Sequence, residues 1–224
     1  MDTVERLDGR ALIAIAIALI TWSSAYAAIA YALPSFTPGE VACARLLIGS
    51  LCFAVLLMAK RVPLPARRDW PLLALLGVLG LTVYHLCLNY AETRIASGTA
   101  SILISLVPAA TAAVSALWIG ERLTLRTWIG LAIALVGTVL VVLASGQRVE
   151  VDPKALLVLV CVAVSAIFFV GQKALFARNS MLGVTAFAFF AGTLAALPFG
   201  WHLPQALALA PWPRSMARML CSAR

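Results

Sequence analysis

Residues 97–143 read SGTASILISLVPAATAAVSALWIGERLTLRTWIGLAIALVGTVLVVL. Two apolar runs stand on either side of Gly120, Glu121, Arg122, Leu123, Thr124, Leu125 and Arg126. A helix rises about 1.5 Å per residue and the hydrocarbon core of a bilayer is about 30 Å thick, so roughly 20 apolar residues make one crossing. Each run is long enough to cross, and the charges fall where the chain turns. The stretch is a tight membrane hairpin with small residues along both arms, and it predicts a polytopic helical membrane protein.

The rest of the chain agrees. Of its 224 residues 63% are hydrophobic and 12% charged, and the mean hydropathy is +1.01, far more apolar than a soluble core of this size needs. The net charge of +8 does not point to nucleic acid, because the Lys and Arg residues lie between apolar runs instead of clustering on one exposed face. Cys43, Cys52, Cys87, Cys161 and Cys221 have no paired spacing. Four of them sit inside apolar runs and read as small core residues, neither disulfides nor a metal site. The N-terminus, MDTVERLDGR, carries acidic as well as basic residues before its apolar run, which predicts a first transmembrane helix and not a cleaved signal peptide.

Hydropathy marks seven spans, at 11–33, 39–59, 70–91, 96–119, 127–145, 154–175 and 181–199, with Pro34, Pro38, Pro63, Pro65, Gly120 and Pro153 in the breaks. Backbone polar groups find no water in lipid, so spans of this length and even apolarity are helices; the fold class is all-α. With a cytoplasmic N-terminus, the inner segments hold ten basic residues: Arg6, Arg10, Lys60, Arg61, Arg67, Arg68, Arg122, Arg126, Lys173 and Arg178. The outer loops hold three, Arg94, Arg148 and Lys154. The positive-inside rule therefore places the N-terminus in the cytoplasm of a cell whose cytoplasmic membrane holds the protein.

Residues 11–30 align with 155–175 at an offset of 144, and 39–59 then correspond to 181–199. This predicts a repeat: a first unit of five helices over 1–146 and a partial second unit of two over 147–199. An odd number of spans per unit inverts one unit against the other, an arrangement associated with secondary transporters. Residues 200–212 read as a loop. The final stretch, PRSMARMLCSAR, is too short and polar to cross, and its Arg214, Arg218 and Arg224 oppose the charge bias. The expectation is a C-terminally truncated chain with a tail read out of frame, over 200–224.

Four strings carry a resemblance: SLVP over Ser105 to Pro108, the alanine-rich arm after it, GERLTLRTWIG over Gly120 to Gly130, and the closing LVGTVLVV. Trp22, Pro38 followed by Arg45, and NYAETRIASGTASIL from Asn89 support it. With these the chain resembles the EamA-type family of the drug/metabolite transporter superfamily. The resemblance implies ten helices in two inverted five-helix repeats that move small metabolites, amino acids or drugs, commonly outward. The eighth to tenth helices of that pattern are missing here.

Charges inside a membrane cost about 2.5 to 3.5 kcal/mol on insertion scales, so they need a partner or a task. Arg45 has two readings, a cation that attracts an anionic substrate group or an arginine that caps neighbouring carbonyls or snorkels to the outer interface. On the third span His85, Asn89 and Glu92 recur at helical spacing beside Tyr84. They either line a water-filled cavity, with His85 able to couple protons, or form an interhelical hydrogen-bonding pair. Ser97, Ser101 and Ser105 form a row ahead of Pro108, whose ring and missing N–H predict a kink with a free carbonyl at Ile104. That kink builds a binding site or, with its small neighbours, a packing face. Trp22, Ser23, Ser24 and Tyr26 interrupt the first span, and Trp22 at mid-membrane is expected to point inward to protein or cavity. Glu121 and Arg122 read as solvated turn charges, and Lys173 as a snorkelling inner-surface charge.

The candidate substrate-binding residues are thus Trp22, Tyr26, Arg45, Tyr84, His85, Asn89, Ser101, Ser105 and Pro108. The predicted function is a secondary carrier in the lipid bilayer with a small-molecule substrate and no cofactor or metal. No GxxxxGK[ST] motif offers direct ATP drive, and the spans lack the clustered nucleophiles or ligands of an intramembrane enzyme. An inactive remnant or interaction protein that needs another chain stays open, as does a homodimer.

Overall fold

The computed structural model describes residues 9–121, 124–144 and 153–209. Arg6, Arg122, Arg148, the unit boundary at 146 and the tail from Ala210 lie outside the described residues. Those described are almost wholly helical, and six helical stretches are long and apolar enough to cross a membrane. A seventh helix has a shorter apolar stretch, Leu125–Val141. The seven coincide with the seven predicted spans to within a few residues.

The first span is α1 (Gly9–Ala32) and the second α2 (Pro38–Lys60). Pro38 opens α2 with its φ already helical, and Thr37 and Glu40 close a capping box: Thr37 N–H donates to Glu40 Oε2 at 2.7 Å and Glu40 N–H to Thr37 Oγ1 at 3.3 Å. Arg61 ends α2 in the left-handed region, with φ 50°.

The third span is not one regular helix. It runs from a 3-10 turn over Arg67–Asp69 through α3 (Trp70–Gly77), a π-helical segment (Val78–Val83) and α4 (Tyr84–Glu92). Here two neighbours come to backbone distance. A side chain at Gly77 would strike the Ala188 carbonyl and one at Gly80 the Phe168 ring, so only glycine admits the contact. Tyr84 N–H bonds back five residues to Leu79, which is the π register.

Pro108 breaks the fourth span as expected. α5 (Ser97–Ile104) ends in a turn at Ser105 and Leu106, and α6 (Val107–Trp118) resumes with Pro108 in its first turn, where no N–H is needed. Then come α7 (Leu125–Ala144), α8 (Ala155–Phe176) and α9 (Met181–Ala196). The Ser180 hydroxyl caps α9, accepting from Gly183 N–H at 3.0 Å. The predicted loop over 200–212 is corrected in part: Leu203–Leu209 forms a short helix, α10. Its alanines and leucines favour helix, and Pro204 falls in the tolerated first turn.

α8 is the hub, packed against α3, α4, α5 and α6, while α9 packs on α3 and α2 packs on α9 and α4. One core joins Leu46, Leu73, Leu76, Phe168, Leu175 and Val184; a second joins Ile29, Val41, Leu88, Ile95, Val158 and Cys161. Lipid cannot drive helices together by burial, so polar contacts add to the packing. Thr82 Oγ1 donates to the Gly192 carbonyl at 2.7 Å, and Thr193 Oγ1 to the Leu46 carbonyl at 3.0 Å; such bonds average about 0.6 kcal/mol each. Ile17, Ile20, Ile133, Leu140 and Val141 on α1 and α7 face outward, as lipid-facing residues do. Cys43 and Cys161 are buried as read from sequence, whereas Cys52 lies on an exposed face of α2, because an apolar run in lipid has an outer side as well as a core side.

Candidate functional site

Three helices bring polar side chains together near the end of the bundle where α2 begins and α4 ends. Tyr26 comes from α1, Arg45 from α2, and Tyr84, His85, Asn89 and Glu92 from α4. The hydroxyls of Tyr26 and Tyr84 lie within interaction range of each other, and Arg45 is within electrostatic reach of Tyr26, Tyr84, His85 and Glu92. The His85 ring stands edge-on to Tyr84, 5.3 Å between centroids.

The cluster holds buried polar atoms that bond to nothing. Arg45 Nη1, His85 Nδ1, Asn89 Oδ1 and both carboxylate oxygens of Glu92 are in this state. Buried polar groups are ordinarily bonded, and each exception calls for an explanation. Glu40 is not the partner of Arg45, since its carboxylate closes the cap of α2. Asn89 makes an interhelical bond to α2: its Nδ2 donates to the Pro38 carbonyl at 2.9 Å. Beside the cluster a cleft of about 410 Å³ is walled by Glu92, Ala30, Leu33, Ile95 and Ser97.

The other predicted residues stand apart. Trp22 is 55% exposed, so of the two alternatives, protein or cavity, packing against the described helices is not what it does. Only the last turns of α1, around Tyr26 and Ile29, pack on α4 and α5, so at the level of Trp22 no described helix covers it. Ser101 and Ser105 turn their hydroxyls back to their own helix, donating to the Gly98 and Ile102 carbonyls at 2.8 and 2.6 Å, and Pro108 is exposed. Glu92, noted in the polar stripe but left out of the candidate set, is the residue sequence reasoning missed. Its signal was the 85, 89, 92 spacing; a carboxylate at the end of a span otherwise reads as solvated. Thr111 Oγ1 and Gln172 Nε2 are also buried and unbonded, nearer the opposite end.

That opposite end is held by charge pairs. Lys173 Nζ meets Glu121 Oε2 at 2.7 Å, and Ser115 Oγ donates to the same oxygen at 2.5 Å. The Lys173 hydrogen bond, with that of Ser115 and the lysine charge behind it, holds the Glu121 carboxyl below the usual carboxylate range. Arg178 grips Asp69 with two bonds, Nη2 to Oδ1 at 2.6 Å and Nε to Oδ2 at 3.1 Å. Asn179 Nδ2 adds a third at 2.8 Å, and its Oδ1 accepts from Ala66 N–H at 3.0 Å. Lys173 and Glu121, read as a snorkelling charge and a solvated turn charge, are partners that tie the α6–α7 turn to α8.

The family model described as the EamA-like transporter family matches residues 9–143, more than half of the chain. The protein belongs to the EamA-like transporter family. Among its relatives, the "Probable terminal-alkyne amino-acid exporter" of Streptantibioticus cattleyicolor is 31% identical over 202 residues, 90% of this chain and 68% of the relative. The uncharacterized transporter YdfC of Bacillus subtilis is 31% identical over 178 residues, 80% of this chain and 58% of the relative. The pseudopaline exporter CntI of Pseudomonas aeruginosa is 27% identical over 199 residues, 89% of this chain and 69% of the relative. The chain thus spans about three-fifths to two-thirds of the length of these EamA-type relatives. No solved structure matches it. The family match covers α1 to α7, including every residue of the polar cluster and both arms of the 97–143 hairpin.

Proposed function

We propose that the protein is a secondary carrier that exports a small polar or amphipathic metabolite across the cytoplasmic membrane. Its N-terminus faces the cytoplasm, and access alternates between its two inverted units. The observation that carries the proposal is the set of buried, unbonded polar atoms on Tyr26's neighbours Arg45, His85, Asn89 and Glu92, beside an open cleft. Leaving such groups unbonded in the membrane is costly unless a ligand or water completes them. The break between α5 and α6 supplies the irregular backbone that transporters place near their sites. The two charge clasps stand at the basic end, away from the cleft, so the bundle is tied on one side and open on the other. Export is also the direction in the names of two relatives, one of which names an amino acid as the solute.

The test is efflux from a host sensitised by deletion of its own exporters. Gradient-dependent loss of a loaded solute from cells expressing the chain, absent from cells expressing Arg45→Ala, supports the carrier; equal efflux from wild type, variant and empty host removes it. A second reading, in which another chain or a second copy completes the bundle, is favoured by α1, whose apolar stretch Ile15–Ala32 is only 6% buried. Cysteine cross-linking along α1 separates the two: cross-linked dimers support a second copy, and none support the single chain.

A further inference from the structure

We infer that the Glu121 and Lys173 pair is a releasable latch between α6 and α8, and that the joint of Asp69, Arg178 and Asn179 at the same end stays closed when the latch opens. The inference rests on the carrier reading and names the contact whose release lets the basic end of the bundle open.

Glu121 travels with α6. Its N–H bonds back to the Ser115 carbonyl at 3.4 Å, and its Oε2 accepts from Ser115 Oγ at 2.5 Å. The same oxygen accepts from Lys173 Nζ on α8 at 2.7 Å. Among the described residues no other hydrogen bond joins α6 or its turn to α8. Both side chains of the pair are open to solvent, 55% for Lys173 and 42% for Glu121, and a pair so exposed is weak and screened by salt. The packing around α6 is light as well. It is rich in alanine, Ser115 is its one buried residue, and Leu117 and Trp118 are exposed, so drawing it off α8 uncovers little apolar surface. α5 and α6 are already parted by the turn at Ser105 and Leu106, which lets α6 tilt without unwinding a helix.

The second joint is built differently. The Asp69 carboxylate is only 3% exposed and takes three bonds, two from the Arg178 guanidinium and one from Asn179 Nδ2. Asn179 Oδ1 also accepts from Ala66 N–H, which fixes the start of the third span to the turn after α8. Parting a bidentate pair of this kind leaves a buried charge uncompensated. Of the two contacts, the exposed single bond is the one that yields.

The helices that the latch joins carry two polar atoms that bond to nothing. Thr111 Oγ1 on α6 and Gln172 Nε2 on α8 are buried and unbonded, and Gln172 as a whole is 5% exposed. Parting α6 from α8 admits water to such groups, which offsets part of the cost of breaking the exposed pair.

The test reads the exposure of residue 172 in the whole chain in lipid nanodiscs. Gln172→Cys is treated with a membrane-impermeant maleimide, and the label at residue 172 is timed by peptide mass spectrometry, so the native cysteines stay in place. Labelling of this parent is expected to be slow, and to quicken at least tenfold when Glu121→Gln or Lys173→Gln is added. Exchanging the charges, with Glu121→Lys and Lys173→Glu together, should return the rate to within twofold of the parent. Asp69→Asn should change the rate less than twofold while lowering the thermal midpoint. The latch is overturned by fast labelling of the parent, by rates unmoved in both neutral variants, by an exchange that stays as fast as they are, or by Asp69→Asn quickening the label as much as Glu121→Gln. Should the exchange or Asp69→Asn fail to run as a monodisperse species, the two neutral variants decide. Quickened labelling in a chain that shows no efflux supports the latch and sinks the carrier, whereas efflux with labelling unmoved by the neutral variants sinks the latch and leaves the carrier standing.

Discussion

Asn89 shows how one side chain can set a site. Fully buried, it ties α4 to the first residue of α2 through Pro38 and so holds His85 and Glu92 opposite Arg45. Asn89→Ala removes a bond worth about 0.5–1.5 kcal/mol and opens a cavity besides. The expected result is a lower thermal midpoint with a loss of ligand affinity, measured on the same purified sample; an unchanged midpoint contradicts the structural role. Gly77 offers a sharper case, because its missing side chain is what lets the Ala188 carbonyl approach. Gly77→Val should overpack this contact by about 1–3 kcal/mol, read as reduced yield of folded protein and a lower midpoint. Arg45, Tyr84, His85 and Asn89 were legible from sequence because polar groups inside apolar runs stand out. The exposure of Trp22 was not legible, since it depends on where α1 leaves the bundle, and nothing in the local sequence of α1 records that.

Among the elements, the spans themselves were legible and their irregularities only partly so. A run of apolar residues measures the membrane directly, which is why all seven predicted spans coincide with helices. The break at Pro108 followed from the chemistry of proline, whereas the π segment over Val78–Val83 follows from contacts with α8 and α9 that are distant in sequence. The capping box of α2 makes a quantitative case: Thr37→Ala removes the hydroxyl acceptor for Glu40 N–H and should cost about 1 kcal/mol, visible as a shift of the unfolding curve in mixed micelles. Pro108→Ala restores an N–H facing Ile104 and should let α5 and α6 join. Hydrogen exchange over residues 104–109 is then expected to slow at least tenfold, and unchanged exchange would show that the break does not depend on the proline.

At the scale of the whole molecule, the two ends differ in kind. The basic end is tied by Glu121 with Lys173 and by Asp69 with Arg178 and Asn179, while the far end holds the cleft and the unpaired cluster. The charge counts predicted which residues share the basic end but not that they pair across it, because pairing depends on which turns become neighbours. Since the Glu121 carboxyl is held low by Lys173 and Ser115, its contribution to stability is full above the unfolded carboxylate value of about 4.3 and is lost as pH falls through the lower folded value. The midpoint difference between wild type and Glu121→Gln should therefore persist at pH 7 and vanish in strong acid; a difference that grows with acidification contradicts the pairing. The central claim, that the cluster under the cleft is a transport site, is tested most directly by solute efflux from a sensitised host expressing wild type, Arg45→Ala or His85→Ala at matched membrane levels. The prediction is gradient-dependent efflux in the wild type and at least a tenfold loss in both variants; efflux unchanged in both would contradict it.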